Sequence, residues 1–185
     1  MEKELSIEGE KVSLRDARPS DTEKYVRWMQ EGEWRKFDAP WEEKELRNDE
    51  IEKKFEKLFL GDKTEPRERA IIRLSGEQPI GWVNRYSEED NKAGFLLGID
   101  ICEDEHLNKG VGTEALSLWI DHLFENSEVD RLGLNTYSFN ERMMSVAEKL
   151  GFVKKGVDEK AVRWRGKSID RIRYVLSRED WVTSS

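Results

Sequence analysis

The sequence predicts an α/β fold of the α+β kind: a single domain over 1–185, with about four helices around a mixed, mostly antiparallel sheet of about seven strands. Three observations predict it. Runs of strand length alternate or are apolar, and between them stand stretches with apolar residues at helical spacing. Three of the strand runs, 69–74, 80–86 and 93–102, are separated only by the polar turns SGEQ (75–78) and SEEDN (87–91), the pattern of an antiparallel meander. The full order reads β-α-α-β-β-β-α-β-α-β-β, without linker or internal repeat.

The first strand is the alternating run KVSLRDA (11–17). A helix follows in 18–32: Ser20 as N-cap with Glu23 three residues on makes a capping box, Tyr25, Val26 and Met29 share a face, and Gly32 supplies the stop. EWRKFDAPW (33–41) is aromatic, charged and interrupted by Pro40, so it reads as irregular. Asp49 and Glu52 cap a second helix with a buried stripe of Ile51, Phe55, Leu58 and Phe59 and an end at Gly61. After the loop 61–68 and the meander comes a third helix, described next, and then the fifth strand, DRLGLNTY (130–137). Asn140 caps a fourth helix that turns Met143, Ala147 and Leu150 inward and stops at Gly151. GFVKKGV (151–157) is a further strand, and 162–176 is a hairpin turning at Gly166.

The stretch 103–124, EDEHLNKGVGTEALSLWIDHLF, leads from the strand FLLGIDIC (95–102) through a glycine loop into the third helix, whose Ala115, Leu116, Trp119, Ile120, Leu123 and Phe124 form one apolar face. Gly110 and Gly112 can adopt positive φ and carry no Cβ to block a ligand. The amides of Asn108, Lys109, Gly110, Val111, Gly112 and Thr113 lie at a helix start, unpaired within the helix and at its positive pole, which suits a phosphate. No Gly-Lys-Ser/Thr ends the loop, so it is not the P-loop of nucleoside triphosphate enzymes. Nor is it a dinucleotide fingerprint, because no early βαβ unit accompanies it.

Charged residues make up 39% of the chain, and 32 Lys+Arg against 40 Asp+Glu give a net charge of −8. That balance disfavours nucleic acid and favours a cationic partner. Cys102 is the only cysteine, which excludes an internal disulfide. No apolar run is long enough to span a bilayer and no signal peptide is legible, so the expected location is cytoplasmic, without a membrane partner. No metal site is expected.

The order of elements, the glycine loop HLNKGVGTEAL (106–116) and the segment SFNERMMSVAEKLGFVKKG (138–156) together resemble the GNAT superfamily of acyl-coenzyme-A-dependent N-acetyltransferases, over nearly the whole chain. VSLRDARPSDTEKYVRWM (12–29) and GKSIDRIRYVLSREDW (166–181) look like the branch containing ribosomal-protein N-terminal acetyltransferases. LSGEQPIGWVNRY (74–86), GID (98–100) and LFENSEVDRL (123–132) look like aminoglycoside 6′-N-acetyltransferases. Three positions depart from the family: Leu107 stands where the loop usually begins with Arg or Gln, Ala147 where many members carry a tyrosine that protonates the leaving thiolate, and Leu96 where many carry Glu.

The resemblance implies acetyl-CoA as cosubstrate, a sheet splayed between its fourth and fifth strands to admit the pantetheine arm, and direct transfer without a cysteine nucleophile. It assigns the oxyanion donor to a backbone amide near Ile101 and Cys102, and places Asn135 and Asn140 against the arm. An alkylammonium must lose a proton before it attacks a thioester. Asp100, opposite Ile99 and Ile101 by strand alternation, is the chosen base. Glu103 and Asp104 are alternatives acting through water, and Tyr137 is a replacement acid. Aromatic faces with carboxylates suit a polycation, which makes Trp28, Trp34, Asp38, Trp41, Trp82 and Asn84 the candidate acceptor residues; core packing is the competing reading for Trp28 and Trp82. The expected function is acetylation of a small cationic amine, polyamine-like or aminoglycoside-like, by a monomer or homodimer. The alternatives are acetylation of a protein N-terminus and a non-catalytic acyl-CoA-binding module, the latter favoured by Ala147 and Leu96 and opposed by Asp100.

Overall fold

The computed structural model describes residues 4–42, 44–74, 78–87 and 94–184. Most of the two turns expected at 75–78 and 87–91, and Ala93 at the start of the fourth expected strand, lie outside them. Eight strands form one mixed sheet in the order β1-β2-β3-β4-β5-β6-β8-β7: β1 Ser6–Glu8, β2 Val12–Arg15, β3 Arg69–Leu74, β4 Pro79–Tyr86, β5 Gly94–Ile101, β6 Arg131–Tyr137, β7 Val153–Trp164 and β8 Lys167–Ser177. Five helices accompany them: α1 Thr22–Gln30, α2 Asn48–Phe55, α3 Val111–Glu125, α4 Glu141–Lys149 and α5 Arg178–Ser184. The count exceeds the expected seven and four because β1 pairs along β2 and because the chain after Ser177 turns once more into α5.

The chain divides into two units, Met1–Asn84 with Ile99–Leu123 and Arg85–Gly98 with Phe124–Ser185. In the first, β1 to β4 form an antiparallel run, with Leu14 facing Ile72 across β2/β3 and Ile71 facing Trp82 across β3/β4. Consecutive Ile71 and Ile72 point to opposite faces and are both fully buried, so the sheet is covered on both sides here. On one face α1 and α2 lay down Tyr25, Trp28, Ile51 and Phe55, which cluster with Trp34, Ile71, Trp82 and Cys102.

The cap of α1 differs from expectation. Asp21, not Glu23, reaches back, its carboxylate accepting from the Arg18 amide at 2.8 Å, and Arg15 holds it from the other side at 2.7 and 2.8 Å. The buried Arg15–Asp21 pair, six residues apart, fixes Asp21 in that role. Gly32 does take positive φ (119°). In α2 the cap also starts early, the Arg47 amide donating to Glu50. The helix then widens into a π turn, Glu56–Leu60. That change of pitch rotates the predicted stripe, so that Phe59 and Leu60, rather than Leu58, pack on the aromatic cluster. The stripe of α3 is as predicted, with Ala115, Leu116, Trp119, Ile120, Leu123 and Phe124 all buried.

In the second unit β6 and β8 pair antiparallel along their length, from Arg131↔Ser177 to Tyr137↔Arg171. The stretches 151–157 and 162–164 belong to a single strand, β7, which absorbs the sequence between them in two bulges against β8. The hairpin turns at Arg165 and Gly166, both with positive φ. Asn140 caps α4 as expected, accepting from the Met143 amide at 3.1 Å, and Gly151 (φ 83°) ends it. The parallel β5–β6 ladder covers only Gly94↔Arg131, Phe95↔Leu132 and Leu96↔Gly133. Leu96 is packed there: a Cβ on Gly133 would lie 2.6 Å from its Cδ2. An acidic side chain has no place at that position.

Candidate active site

Asn108 (φ 59°) and Gly110 (φ 79°) turn the loop sharply before α3 opens at Val111. The first amide bonded back within the helix is that of Glu114, on the Gly110 carbonyl at 3.1 Å. The amides of Val111, Gly112 and Thr113 precede it and have no helical acceptor. Gly112 lies inside the helix, so only Gly110 uses the positive φ that both glycines permit. A Cβ on Gly112 would meet Ile101 and Ile99 at 3.6 and 3.8 Å. Sequence reading missed Lys11. Its ammonium donates to the Lys109 carbonyl at 3.4 Å, and its own amide is held by Glu114 at 2.8 Å. It sets a cation beside a turn 98 residues away, a proximity no local pattern announces. Three helix-start amides and one ammonium fit a pyrophosphate.

At the end of β5 the Cys102 amide is taken by the Ile80 carbonyl at 2.8 Å. Cys102 therefore offers no donor to a ligand, and its thiol is buried and pushed well above its ordinary value by that burial and by nearby carboxylates, Asp100 first. Strand alternation turns the Ile101 amide to the opposite edge of β5, away from β4. Glu103 is not free to act as a base. It is 8% exposed and accepts from Arg27, from the Trp28 indole at 2.9 Å and from Lys24, 3.3 Å away. Burial would raise its carboxyl, but these three donors outweigh burial and lower it. Asp104 is occupied too, accepting from the Glu33 amide at 2.9 Å.

Asp100 differs. It is half-buried, its own carbonyl lies against Gly81 on β4, and burial followed by the charge of Asp38 raises its carboxyl well above the usual range. Asp38 is exposed at its rim yet crowded by protein. That crowding, with Glu42 and against Lys54, raises its carboxyl as well. Its amide hangs on the Trp34 carbonyl at 3.2 Å, and the Trp34 ring meets Trp82 edge-on at 5.3 Å. Three of the tryptophans expected at the acceptor are core residues: Trp28 is 1% exposed, Trp34 7% and Trp82 8%. Trp34 sits in a short 3-10 turn and donates its indole N–H to the Trp28 carbonyl, so the segment read as irregular folds inward. Together with Tyr25 and Phe55 they form one buried aromatic floor. Trp41 and Asn84 are half-buried, Asn84 opposite Arg69 on β3.

In the second unit Asn135 stands half-buried opposite Arg173. Tyr137 stacks on Phe139, rings nearly parallel at 6.2 Å. The side-chain oxygen of Asn140 is spent on its helix cap, which leaves only its NH2 for a ligand. Ala147 is fully buried, so the position offers no room for the family's tyrosine. Among the described residues no His/Cys/Asp/Glu group is disposed to hold a metal, and no helix is long and apolar enough to cross a membrane.

The family model "Acetyltransferase (GNAT) domain" matches residues 11–153. An N-acetyltransferase 9-like protein of Caenorhabditis briggsae is 29% identical over 158 residues, 80% of this chain and 77% of that protein. The spermidine N-acetyltransferase of Vibrio cholerae, solved with CoA and spermine, superposes with a TM-score of 0.77 at 20% identity, covering 92% of this chain and 98% of that one. RimL, a ribosomal L7/L12 α-N-protein acetyltransferase solved with coenzyme A, superposes with a TM-score of 0.75 at 15% identity, covering 95% and 99%. With a family match over most of its length and a fold shared with these enzymes, the chain belongs to the GNAT family and is an acetyltransferase.

Proposed function

We propose that this enzyme acetylates a primary amine carried by a small cation, such as a polyamine or an amino sugar, by direct transfer from acetyl-CoA. The observation carrying this reading is the pair Asp38 and Asp100, two carboxylates of which the first raises the second, Asp38 anchored on the Trp34 carbonyl and Asp100 next to the Ile101 amide. A pair of that kind attracts an ammonium. A carboxylate whose proton affinity is raised by burial and a like charge is also a stronger base.

The chain's residues divide the work. The Val111–Thr113 amides and Lys11 hold the donor's pyrophosphate. Asp100 takes a proton from the ammonium and frees the nitrogen lone pair. The bound donor supplies a thioester, whose acetyl carbon accepts that nitrogen as the carbon–sulfur bond breaks and the sulfur leaves with the electron pair. The Ile101 amide steadies the charge that grows on the carbonyl oxygen. Asp100, now protonated, gives that proton to the sulfur directly or through water, and the extra proton left on the newly acylated nitrogen passes to water, so that amide, thiol and one released proton balance ammonium and thioester. With Ala147 closed to a tyrosine, no separate acid is required.

The fold shared with RimL favours a second acceptor, the α-amino group of a protein. A coenzyme-release assay separates the readings. Acetyl-CoA is offered with spermine, spermidine, an aminoglycoside and a peptide bearing a free N-terminus. Release with the small cations alone supports the first reading; release with the peptide alone supports the second. Release with none leaves a coenzyme-binding module without transfer.

A further inference from the structure

Glu114 stands half-buried in the first turn of α3, directly after the helix-start amides. An acid at that pole meets a bound phosphate as a like charge. Here the carboxylate is engaged elsewhere, on the hairpin formed by β1 and β2. Its Oε1 accepts from the Lys11 amide at 2.8 Å and from the Val12 amide at 3.4 Å. The turn of that hairpin is shaped to receive it. The Gly9 amide closes on the Val12 carbonyl at 2.9 Å, and a Cβ on Gly9 would run into Glu114 Oε1. The lock carries the exposed Lys11 side chain onto the glycine loop. Its ammonium donates to the Lys109 carbonyl at 3.4 Å and lies 3.1 Å from where a Cβ on Gly110 would sit, immediately before Val111.

We propose that Glu114 is the positioning residue of the coenzyme site: by locking turn 9–12 it holds Lys11 as a ligand of the pyrophosphate, and the bound coenzyme in return clamps the turn. This rests on the reading of the Val111–Thr113 amides as the pyrophosphate site. The repulsion between Glu114 and the phosphates is offset by the ammonium it delivers and is weakened by the two backbone donors on its own oxygen. Reciprocity follows. If the locked turn raises affinity for the coenzyme, the coenzyme stabilises the lock by the same factor.

The sign of the effect at Glu114 is the test. Coulomb's law alone has the removal of an acid beside the phosphates tighten coenzyme binding; the positioning role has it loosen. In calorimetry on the full chain, Lys11→Met and Glu114→Ala are each expected to weaken coenzyme A about 10-fold, the low end for a charge-assisted hydrogen bond because Lys11 is exposed. The double variant should bind no more weakly than either single one, since both remove the same contact. Glu114→Gln keeps the accepting oxygen and should bind as wild type or tighter. 3′-Dephospho-coenzyme A keeps the pyrophosphate and should show the same losses; a loss confined to coenzyme A puts Lys11 on the 3′-phosphate and overturns the proposal. Hydrogen exchange at the Lys11 and Val12 amides of the wild type should slow when coenzyme A binds, and exchange that does not change overturns the proposal even where Glu114→Ala fails to fold. A merely structural Glu114 would lower Tm and leave the affinity of the folded fraction intact, which overturns it too, as do losses that multiply in the double variant. Wild-type protein that binds neither nucleotide overturns the coenzyme reading of the loop itself, and this role with it.

Discussion

Burial and the neighbouring Asp38 bind the proton of Asp100 more tightly in the folded chain than in the unfolded one. The kinetic consequence is testable with Asp100→Asn, which preserves shape and removes charge and basicity. If Asp100 takes the proton, kcat should fall about 10²–10⁴-fold with coenzyme affinity little changed. A raised KM at constant kcat would mean that it only attracts the cation. The same variant has a thermodynamic signature. An unfolded Asp titrates near about 3.9, and the folded group titrates higher. Its favourable contribution is thus complete below the unfolded value and is lost as pH rises through the folded one. Asp100→Asn should raise Tm relative to wild type at neutral pH and lose that advantage below about pH 4. A Tm difference flat with pH would show that the carboxyl is not shifted. In the sequence, Asp100, Glu103 and Asp104 are three acids within five residues, and nothing local ranks them. The ranking comes from α1, which brings Lys24, Arg27 and the Trp28 indole onto Glu103 and none of them onto Asp100.

Elements were legible wherever their signals were local. The α3 stripe repeats every three or four residues, and the Asn140 cap and its Met143 amide are three residues apart. Illegible features came from packing that no periodic pattern announces: Lys11 at the glycine turn, Arg15 holding Asp21, the inward fold of Trp34. Two glycine substitutions test how these elements are fitted. Gly110→Val forces a β-branched residue into φ 79° at the loop's turning point, while the Cβ itself meets only the flexible Lys11 ammonium at 3.1 Å. The fold should survive and coenzyme A affinity should collapse. Unchanged affinity by calorimetry would remove the loop from the binding site. Gly81→Ala fails for the opposite reason. Its Cβ would fall 1.9 Å from the Asp100 carbonyl oxygen, where backbone cannot give way. We expect a loss of about 1–3 kcal/mol, toward the upper end, read as a lower urea midpoint at constant slope. An unchanged midpoint would mean that β4 and β5 are not held this close.

Over the whole molecule, a net charge of −8 acts on the two substrates with opposite sign. A polycationic acceptor is drawn in and an anionic donor is held off, and both effects are screened within about 8 Å at physiological salt. Raising potassium chloride from about 0.01 M to about 0.5 M, which shortens the Debye length from about 30 Å to about 4 Å, should raise KM for spermine and lower or hold KM for acetyl-CoA. Parallel shifts in both would indicate a general salt effect on the enzyme. The charge was legible from composition alone, but the packing of Trp34 edge-on against Trp82 was not. The wide turn at Glu56–Leu60 bears on this same floor, because it sets which side chain faces Tyr25. In an α-helix each residue advances the chain by about 100° around the axis. Losing a single codon within 56–60 would therefore swing Phe59 away from Tyr25 and Trp82 without substituting any residue of the site. Among related genes, insertion and deletion in this one turn is then a route by which acceptor preference can drift while the catalytic residues stay as they are.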